Sequence, residues 1–436
     1  MNATRSSAFS IARLFGSSIV DQAMLSAANF GVGLILIRYA AEAQYGYYIL
    51  AFNTMILLTT LQGTFIGTPM VIRLPTLDDG ARRQWMGSLL RDQQRWGLAG
   101  GLLALLTIAV VWTAGLLDRQ SAQVAVAATA LVLAALYREY LRGILLMYHR
   151  PQQVLAADAI YVVVLLAGCA ASVHTPAAAV GALLAGMLAS LACGHALRRK
   201  LGTEIDDQAA PGRLRDIAKM GFWAASGGVI YWLFNQGYNF LTAATLDLAA
   251  VAALAASRLT LMPINLLLAG MQKQLTPLAS HWLHQMGARR TLHRLAWFSA
   301  ALGVTTLVYG AVIWLLRDWI FLDVMRKDFA QRDELVLLWC GLFVLMVMRE
   351  PVMMIAVLRQ RFRILSGATF VSAVVSLSVS YFAMLRLGPV GAAVGIVVGE
   401  VLYCSAVLVL VLQEVRKDDT PAGPVMHGAS ESGNRQ

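Results

Sequence analysis

Apolar stretches of about twenty residues recur along the whole chain and alternate with short polar connections. A stretch of that length, wound as an α-helix, crosses the roughly 30 Å hydrocarbon core of a bilayer. The pattern therefore predicts an all-α, multi-pass membrane protein with about 12 transmembrane helices. We expect the spans at about 17–38, 45–70, 97–117, 123–148, 154–172, 177–197, 218–240, 248–271, 295–316, 334–358, 364–385 and 389–412.

Basic residues are unevenly divided between the two sides of this pattern. With a cytoplasmic N-terminus, the inner segments hold 24 of the 35 Arg and Lys residues, the outer loops hold 7, and 4 lie within spans. Short loops rich in Arg and Lys stay on the cytoplasmic side. The pattern predicts that both chain ends are cytoplasmic.

Composition agrees with the membrane prediction and excludes several function classes. Of 436 residues, 58% are hydrophobic and 14% charged, and the mean hydropathy is +0.64, so one or two soluble domains are excluded. The net charge of +11 comes from inner loops, which favours membrane lipids over nucleic acid as partners. The four cysteines lack C-x-x-C spacing, so the sequence predicts neither disulfides nor a metal site. The sequence also lacks a G-x-x-x-x-G-K-[ST] motif, so it does not predict a nucleotide-driven pump. No cofactor is expected.

A polar connection at 198–216 follows the sixth span and divides the chain into two sets of six spans. We expect an N-terminal six-helix bundle at 1–205, a C-terminal six-helix bundle at 206–414 and a disordered cytoplasmic tail at 415–436, which is rich in Pro, Gly and Ser. Two halves that enter from the same side are parallel repeats, and a binding site is expected at their interface.

The fourth span carries charged residues close to its inner end. Arg138 and Arg142 share a helix face with Glu139 beside them, and one acid between two bases leaves a net positive charge. The structural alternative is that both arginines snorkel to the inner headgroups or that the helix projects beyond the bilayer, and snorkelling explains Arg142 better than Arg138.

Other charges lie deeper in the predicted spans. Arg258 and Glu400 fall near the membrane centre, where ionisable groups are costly and a functional role is the default hypothesis. The structural alternative is a buried Arg258–Glu400 pair that holds the halves together. Arg349 and Glu350 precede Pro351, whose ring is expected to kink the tenth span beside a cavity.

Carboxylates and amides in the spans complete the candidate set. Glu400 is the best-placed group to carry a coupling proton, with Glu350 and Asp21 as further candidates. Asp21 and Asp158 are shallow, so a solvated helix end is the structural interpretation of each. Polar side chains also mark the first, second and seventh spans, at Asn29, Asn53, Gln62, Asn235, Gln236 and Asn239.

Three stretches resemble a known family. They are "SSIVDQAMLSAANFGVGLILIRYAAEAQYGYYILAFN", "YREYLRGILLMYHRPQQVLAADAI" and "FNQGYNFLTAATLDLAAVAALAASRLTLMPINLLLAG". They are similar to bacterial polysaccharide flippases of the multidrug/oligosaccharidyl-lipid/polysaccharide (MOP) exporter superfamily, and the resemblance extends over most of the chain.

The resemblance implies a V-shaped pair of six-helix bundles in the bacterial inner membrane, which alternates between inward- and outward-facing states. The implied cargo is an oligosaccharide repeat unit on undecaprenyl pyrophosphate, for O-antigen or exopolysaccharide biosynthesis. Polysaccharide polymerase and chain-length proteins are the further partners it suggests. Family members typically have a cationic cavity.

Residue roles follow from that expectation and from the donor geometry of Arg, which matches phosphate oxygens. Arg258 and Arg349 are expected to bind the pyrophosphate, with Arg138 and Arg142 as a ladder that admits it from the inner side. Amide and aromatic side chains are expected to meet the sugars, namely Asn235, Asn239, Tyr231 and Trp232.

Two alternatives stay open from sequence. A drug/cation antiporter of the same superfamily would need acids to dominate its cavity, whereas bases in the spans at least match them in number. A membrane-embedded glycan polymerase or ligase typically has a much larger outer loop than 317–333. The protein is therefore expected to be a transporter and not an enzyme.

Overall fold

The computed structural model describes residues 2–329 and 331–419, and within these ranges the chain is almost entirely helical, with no strand. The helices run in chain order as α1 (Asn2–Tyr39), α2 (Glu42–Gln62), α3 (Thr68–Arg73), α4 (Asp79–Thr113), α5 (Arg119–Met147), α6 (Pro151–Ser172), α7 (Ala178–Leu201), α8 (Leu214–Thr245), α9 (Leu248–Leu259), α10 (Pro263–Leu315), α11 (Arg332–Leu358), α12 (Phe362–Leu387) and α13 (Pro389–Asp419). We call α1–α7 the N-half and α8–α13 the C-half.

The all-α, multi-pass class is confirmed. Among the described residues, ten helices are long and apolar enough to cross a membrane, and α9 with the start of α10 adds an eleventh as a bent pair. The predicted seventh span coincides with α8, which is not among these ten helices. The sidedness of the termini stays a prediction.

Three element boundaries differ from those expected. α2 ends at Gln62 and passes through a π-helical turn, Gly63–Gly67, into α3. The predicted eighth span is broken between α9 and α10. The predicted inner loop at 272–294 is wrong, because α10 extends through it with one break at Gly287, where φ is +77°. Hydropathy detects only the lipid-facing part of a helix, so it misses a polar extension beyond the bilayer.

The end of the chain is more helical than expected. α13 continues to Asp419, so residues 415–419 of the predicted tail belong to a helix. The rest of the predicted tail lies outside the described residues.

The same turn joins α5 to α6 and α11 to α12. His149 and Gln360 have positive φ angles of 55° and 56°, and the following residues, Arg150 and Arg361, each donate a backbone hydrogen bond of 3.0 Å to the carbonyl five residues earlier. The two turns lie at a constant offset of 211 residues (360 against 149, 361 against 150). The fourth and fifth spans of the two halves are therefore connected in the same way.

The halves touch along α2, which packs against α8 and α9. A Cβ atom at Gly46 would lie 2.3 Å from the Leu248 carbonyl oxygen, and one at Gly221 would lie 2.4 Å from the Phe65 carbonyl oxygen. Real Cβ atoms do not approach so closely, so both positions require glycine. These two glycine contacts hold the beginning of α2, and the turn that follows it, against the C-half.

Candidate binding cavity

A cavity of about 150 Å³ lies between the halves, with α1 and α2 on one side and α8 and α9 on the other. This is the interface where a site is expected for two parallel repeats. Its polar and aromatic lining comes from both halves: Asn29, Tyr45, Tyr48, Phe52, Asn53, Gln236, Tyr238, Asn239, Arg258 and Asn265.

Arg258 is the cationic group in this lining. Its Nη1 donates to the Asn235 carbonyl oxygen at 3.1 Å and to the Tyr238 hydroxyl at 2.9 Å. Its guanidinium carbon lies 5.2 Å from the ring centroid of Trp339. Within the described part of the chain, no carboxylate forms an ion pair with Arg258. Neutral oxygens and aromatic rings position the guanidinium but leave its charge uncompensated.

Two amides in the cavity have unused hydrogen-bonding atoms. Asn53 and Asn239 are 4% and 2% exposed, and neither Asn53 Nδ2 nor Asn239 Oδ1 has a hydrogen-bond partner. A buried polar atom without a partner is costly. One donor and one acceptor are thus available to a polar ligand or to water, and a sugar hydroxyl can both accept from Asn53 and donate to Asn239.

The residues expected to contact sugars have different positions in the structure, and not all of them line the cavity. Asn239 lines the cavity, whereas Asn235 supports Arg258 through its backbone and donates from its side chain to the Tyr231 carbonyl oxygen at 2.9 Å. Trp232 donates its indole N–H to the Asn53 carbonyl oxygen at 3.1 Å and thereby joins α8 to α2.

Arg349 lies in a buried ion cluster within the C-half. Its Nε is 2.8 Å from Glu400 Oε1, its Nη2 is 3.1 Å from Glu350 Oε1, and its guanidinium carbon is 4.5 Å from the Tyr403 ring centroid. The suggested Arg258–Glu400 pair is wrong, because α11 and α13 pack together and bring Arg349 to Glu400. Two carboxylates and one guanidinium give this C-half cluster a formal charge of −1.

The N-half contains a second ion cluster around Arg142. Its Nε is 2.8 Å from Asp158 Oδ2, its Nη2 is 2.5 Å from Asp21 Oδ2, and its Nη1 is 3.6 Å from Glu139 Oε2. Arg138 also pairs with Glu139. Three carboxylates against two guanidinium groups give this N-half cluster a formal charge of −1.

Three sequence interpretations of the N-half cluster are therefore wrong. The net positive charge is wrong, because α1 and α6 each bring an additional carboxylate. Solvated ends for Asp21 and Asp158 are wrong, because these residues are 4% and 0% exposed. Snorkelling is wrong for Arg138, which is 8% exposed with its guanidinium carbon 3.9 Å from the Tyr161 ring centroid, and Arg142 is held by carboxylates.

Of the four arginines singled out in the spans, the structure brings only Arg258 into the cavity between the halves. Sequence reasoning missed the aromatic residues around it, Tyr45, Tyr48, Tyr238 and Trp339, because aromatic side chains in apolar spans are indistinguishable from ordinary core residues. The described chain contains no group of three or more His, Cys, Asp and Glu side chains that could hold a metal ion.

Comparisons with known proteins identify the fold. No family model and no curated protein matches the chain. Similar solved structures include an inward-facing multidrug resistance MATE family transporter of the MOP superfamily, with a TM-score of 0.73 and 15% identity over 91% of this chain and 96% of that one. Lipid II flippase MurJ in an inward closed conformation gives a TM-score of 0.71 and 12% identity over 91% and 88%.

A MOP superfamily transporter from Pyrococcus furiosus Vc1, whose binding pocket is described as having reverse polarity, gives a TM-score of 0.64 and 15% identity over 94% of this chain and 96% of that one. At such identities the likeness shows the fold: the chain has the architecture of MOP superfamily transporters.

Proposed function

We propose that this protein is a flippase that moves oligosaccharide repeat units linked to undecaprenyl pyrophosphate across the bacterial inner membrane by alternating access. Its products would serve O-antigen or exopolysaccharide biosynthesis. The observation that carries the proposal is Arg258, a guanidinium without a carboxylate partner among the described residues, in a cavity between the halves.

The chemistry of the cavity fits such a cargo. A pyrophosphate cannot cross hydrocarbon unaided, and the forked donors of Arg match its oxygens. Amide and aromatic side chains on both walls suit the polar edges and apolar faces of sugars. A prenyl tail is as apolar as the bilayer, so it can remain in the lipid while the headgroup moves between the halves.

The size of the cavity fits alternating access. At about 150 Å³ it is smaller than pockets that enclose drug-sized ligands, which are about 300–1,000 Å³. An oligosaccharide headgroup therefore requires the halves to separate on one side before it binds.

The other arginines would need a rearrangement to take part. Arg349, Arg138 and Arg142 are held by carboxylates. They contact pyrophosphate only if those carboxylates release them, so we assign the primary contact to Arg258.

A drug/cation antiporter is the second candidate, and the charge of the two ion clusters favours it. Each cluster contains one carboxylate more than guanidinium groups, which suits a proton or another small cation. Glu400, Glu350 and Asp21 remain the coupling candidates under either function.

Flipping of a labelled lipid-linked oligosaccharide in proteoliposomes tests the proposal. Arg258→Ala should abolish flipping at normal abundance, and Arg258→Lys should restore it only partly because an ammonium lacks the bidentate fork. Arg363→Ala is the matched control, since Arg363 is an exposed arginine away from the cavity. Wild-type flipping by Arg258→Ala would refute the assignment, and gradient-driven uptake of an organic cation without flipping would favour the antiporter.

A further inference from the structure

A second cavity, of about 550 Å³, lies where α4 of the N-half meets the segment that leads into α8 of the C-half. It shares no lining residue with the binding cavity. Arg95 and Trp96 of α4 line one wall, Pro211 and Arg215 line the other, and Phe65 of the π-helical turn also belongs to the lining.

The two arginines of this cavity come from opposite halves and are unpaired. Arg95 and Arg215 are exposed, and neither forms a hydrogen bond or an ion pair with another residue of the described chain. Helical spacing places Arg91 one turn before Arg95 and Lys219 one turn after Arg215, on the same helix faces. Two further basic residues thus follow the same helix faces next to the cavity.

The acid in the lining does not neutralise these arginines by contact. Asp92 is 5% exposed, and its carboxylate accepts backbone N–H groups from Gly212 at 2.8 Å and from Leu214 at 2.9 Å. Asp92 therefore fastens the start of α8 to α4 and shapes the cavity, while the arginine side chains stay free for an anion.

The residue pattern of α4 indicates that the cavity lies at the level of the lipid headgroups. The polar part of α4 ends at Arg95, and an apolar run begins at Trp96 and continues to the end of the helix. Trp96 and Trp223 are 68% and 72% exposed. Exposed tryptophans at the end of an apolar run are typical of the boundary between hydrocarbon and headgroups.

We propose that this cavity binds the headgroup phosphate of an anionic phospholipid between Arg95 and Arg215. Basic pockets between transmembrane helices are suited to anionic headgroups, and guanidinium groups form charge-assisted hydrogen bonds with phosphate. The bound lipid bridges the two halves beside the Phe65–Gly221 contact. Its affinity therefore differs between states that bring α4 and α8 together and states that part them.

Native mass spectrometry of the full-length protein, titrated with phosphatidylglycerol or with phosphatidylcholine, tests this site. Arg95→Gln and Arg215→Gln should each weaken one phosphatidylglycerol-binding event about tenfold, since each removes a charge-assisted contact. Phosphatidylcholine binding should not change. Arg363→Gln removes the same charge from an exposed helix start outside the cavity and should bind phosphatidylglycerol like the wild type.

Three results would overturn the proposal. The first is wild-type phosphatidylglycerol binding by both single variants, and the second is an equal loss in Arg363→Gln, which would indicate a general charge effect. The third is displacement of phosphatidylglycerol by millimolar inorganic phosphate, which would indicate a site for free anions. Size-exclusion profiles verify folding, and because both side chains are exposed, each single variant can be tested without the other.

Discussion

Arg349 shows how a charged side chain is held inside an apolar bundle. Two carboxylates, an aromatic ring and the sulfur of Met353 surround its guanidinium group, with the sulfur 3.7 Å from Nη1. Removing one partner from such a cluster leaves the other charge buried and unpaired, which costs more than the intact pair contributes.

Arg349→Ala should therefore lower the free energy of unfolding by about 3 to 5 kcal/mol. Glu400→Gln should cost less, since the neutral amide still accepts a hydrogen bond from Arg349. Thermal unfolding of purified protein in detergent measures both effects. The triple variant Arg349→Met/Glu350→Gln/Glu400→Leu is the control, because it leaves no carboxylate of the cluster unpaired, and it should recover most of the loss. A triple variant as unstable as Arg349→Ala would argue against a cluster whose role is structural.

Sequence could identify individual charged residues but not their partners. Arg258, Asn239 and the neighbours Arg138 and Glu139 follow from depth in a span and from helical spacing. Asp21 could not be assigned to Arg142, because 121 positions separate them in the chain and only the packing of α1 against the other N-half helices brings them together. Helical periodicity predicts which residues are neighbours within one helix, but it gives no information about neighbours on another helix.

At the scale of elements, α2 is the helix that joins the halves. One glycine contact lies at its beginning, Gly46 against Leu248, and the other at the turn after its end, Phe65 against Gly221. Gly63 and Gly67 at either end of that turn have open space around them and helical φ angles of −60° and −64°, so neither room nor backbone geometry requires glycine there. A π-helical turn of this kind often marks a functional site.

Gly221→Ala and Gly46→Ala should open the binding cavity on opposite sides, because each added methyl group would meet a carbonyl oxygen at one end of α2 only. Ala255→Cys places a reporter cysteine in the binding cavity of a protein that lacks the four native cysteines. We expect an impermeant maleimide to react with this cysteine faster from the Phe65 side in Gly221→Ala and faster from the Leu248 side in Gly46→Ala. Sealed vesicles of both orientations distinguish the sides.

Gly341→Ala provides the matched control for this experiment, since a Cβ at Gly341 meets no atom within 4 Å. Equal labelling changes in the control, or faster labelling from the same side in both glycine variants, would contradict the assignment of the two contacts.

Helices were predictable where their apolar length decides the structure, and less so where the backbone departs from one straight span. Hydropathy locates α5 and α11 within a few residues. Hydropathy does not detect the π-helical turn after Gln62, because Gly63–Gly67 is as apolar as a helix end. It also begins the ninth span too late, at 295, because α10 already runs as a polar helix around Gly287.

At the scale of the whole molecule, contacts define one end of the bundle without reference to charge. Tyr47 Oη and Ser121 Oγ are 2.8 Å apart, and Arg38 donates to the Val324 carbonyl oxygen at 3.0 Å. The starts of α2 and α5 and the segment after α10 therefore lie together. This is the end that the distribution of Arg and Lys assigns to the outside.

Reporter fusions near 120 and near 325 should accordingly read periplasmic, and fusions after 205 and after 285 should read cytoplasmic. Paired alkaline phosphatase and green fluorescent protein fusions at the four sites provide the measurement, each reporter active on one side only. A periplasmic signal at 205 would contradict the sidedness and the twelve-span pattern on which it rests.

The contacts of Arg258 bear on the direction of transport. Asn235 and Tyr238 belong to α8 and Trp339 to α11, so every group that positions the guanidinium belongs to the C-half. When the halves part, the guanidinium moves with its own supports, so the affinity for phosphate that we propose for it would be the same before and after. A ligand held equally well in two states shifts no equilibrium between them. Net movement must then arise from contacts that the N-half makes in one state only, or from consumption of the cargo on the far side. Tighter binding by Arg258 would slow release on both sides of the membrane and would favour neither direction of transport.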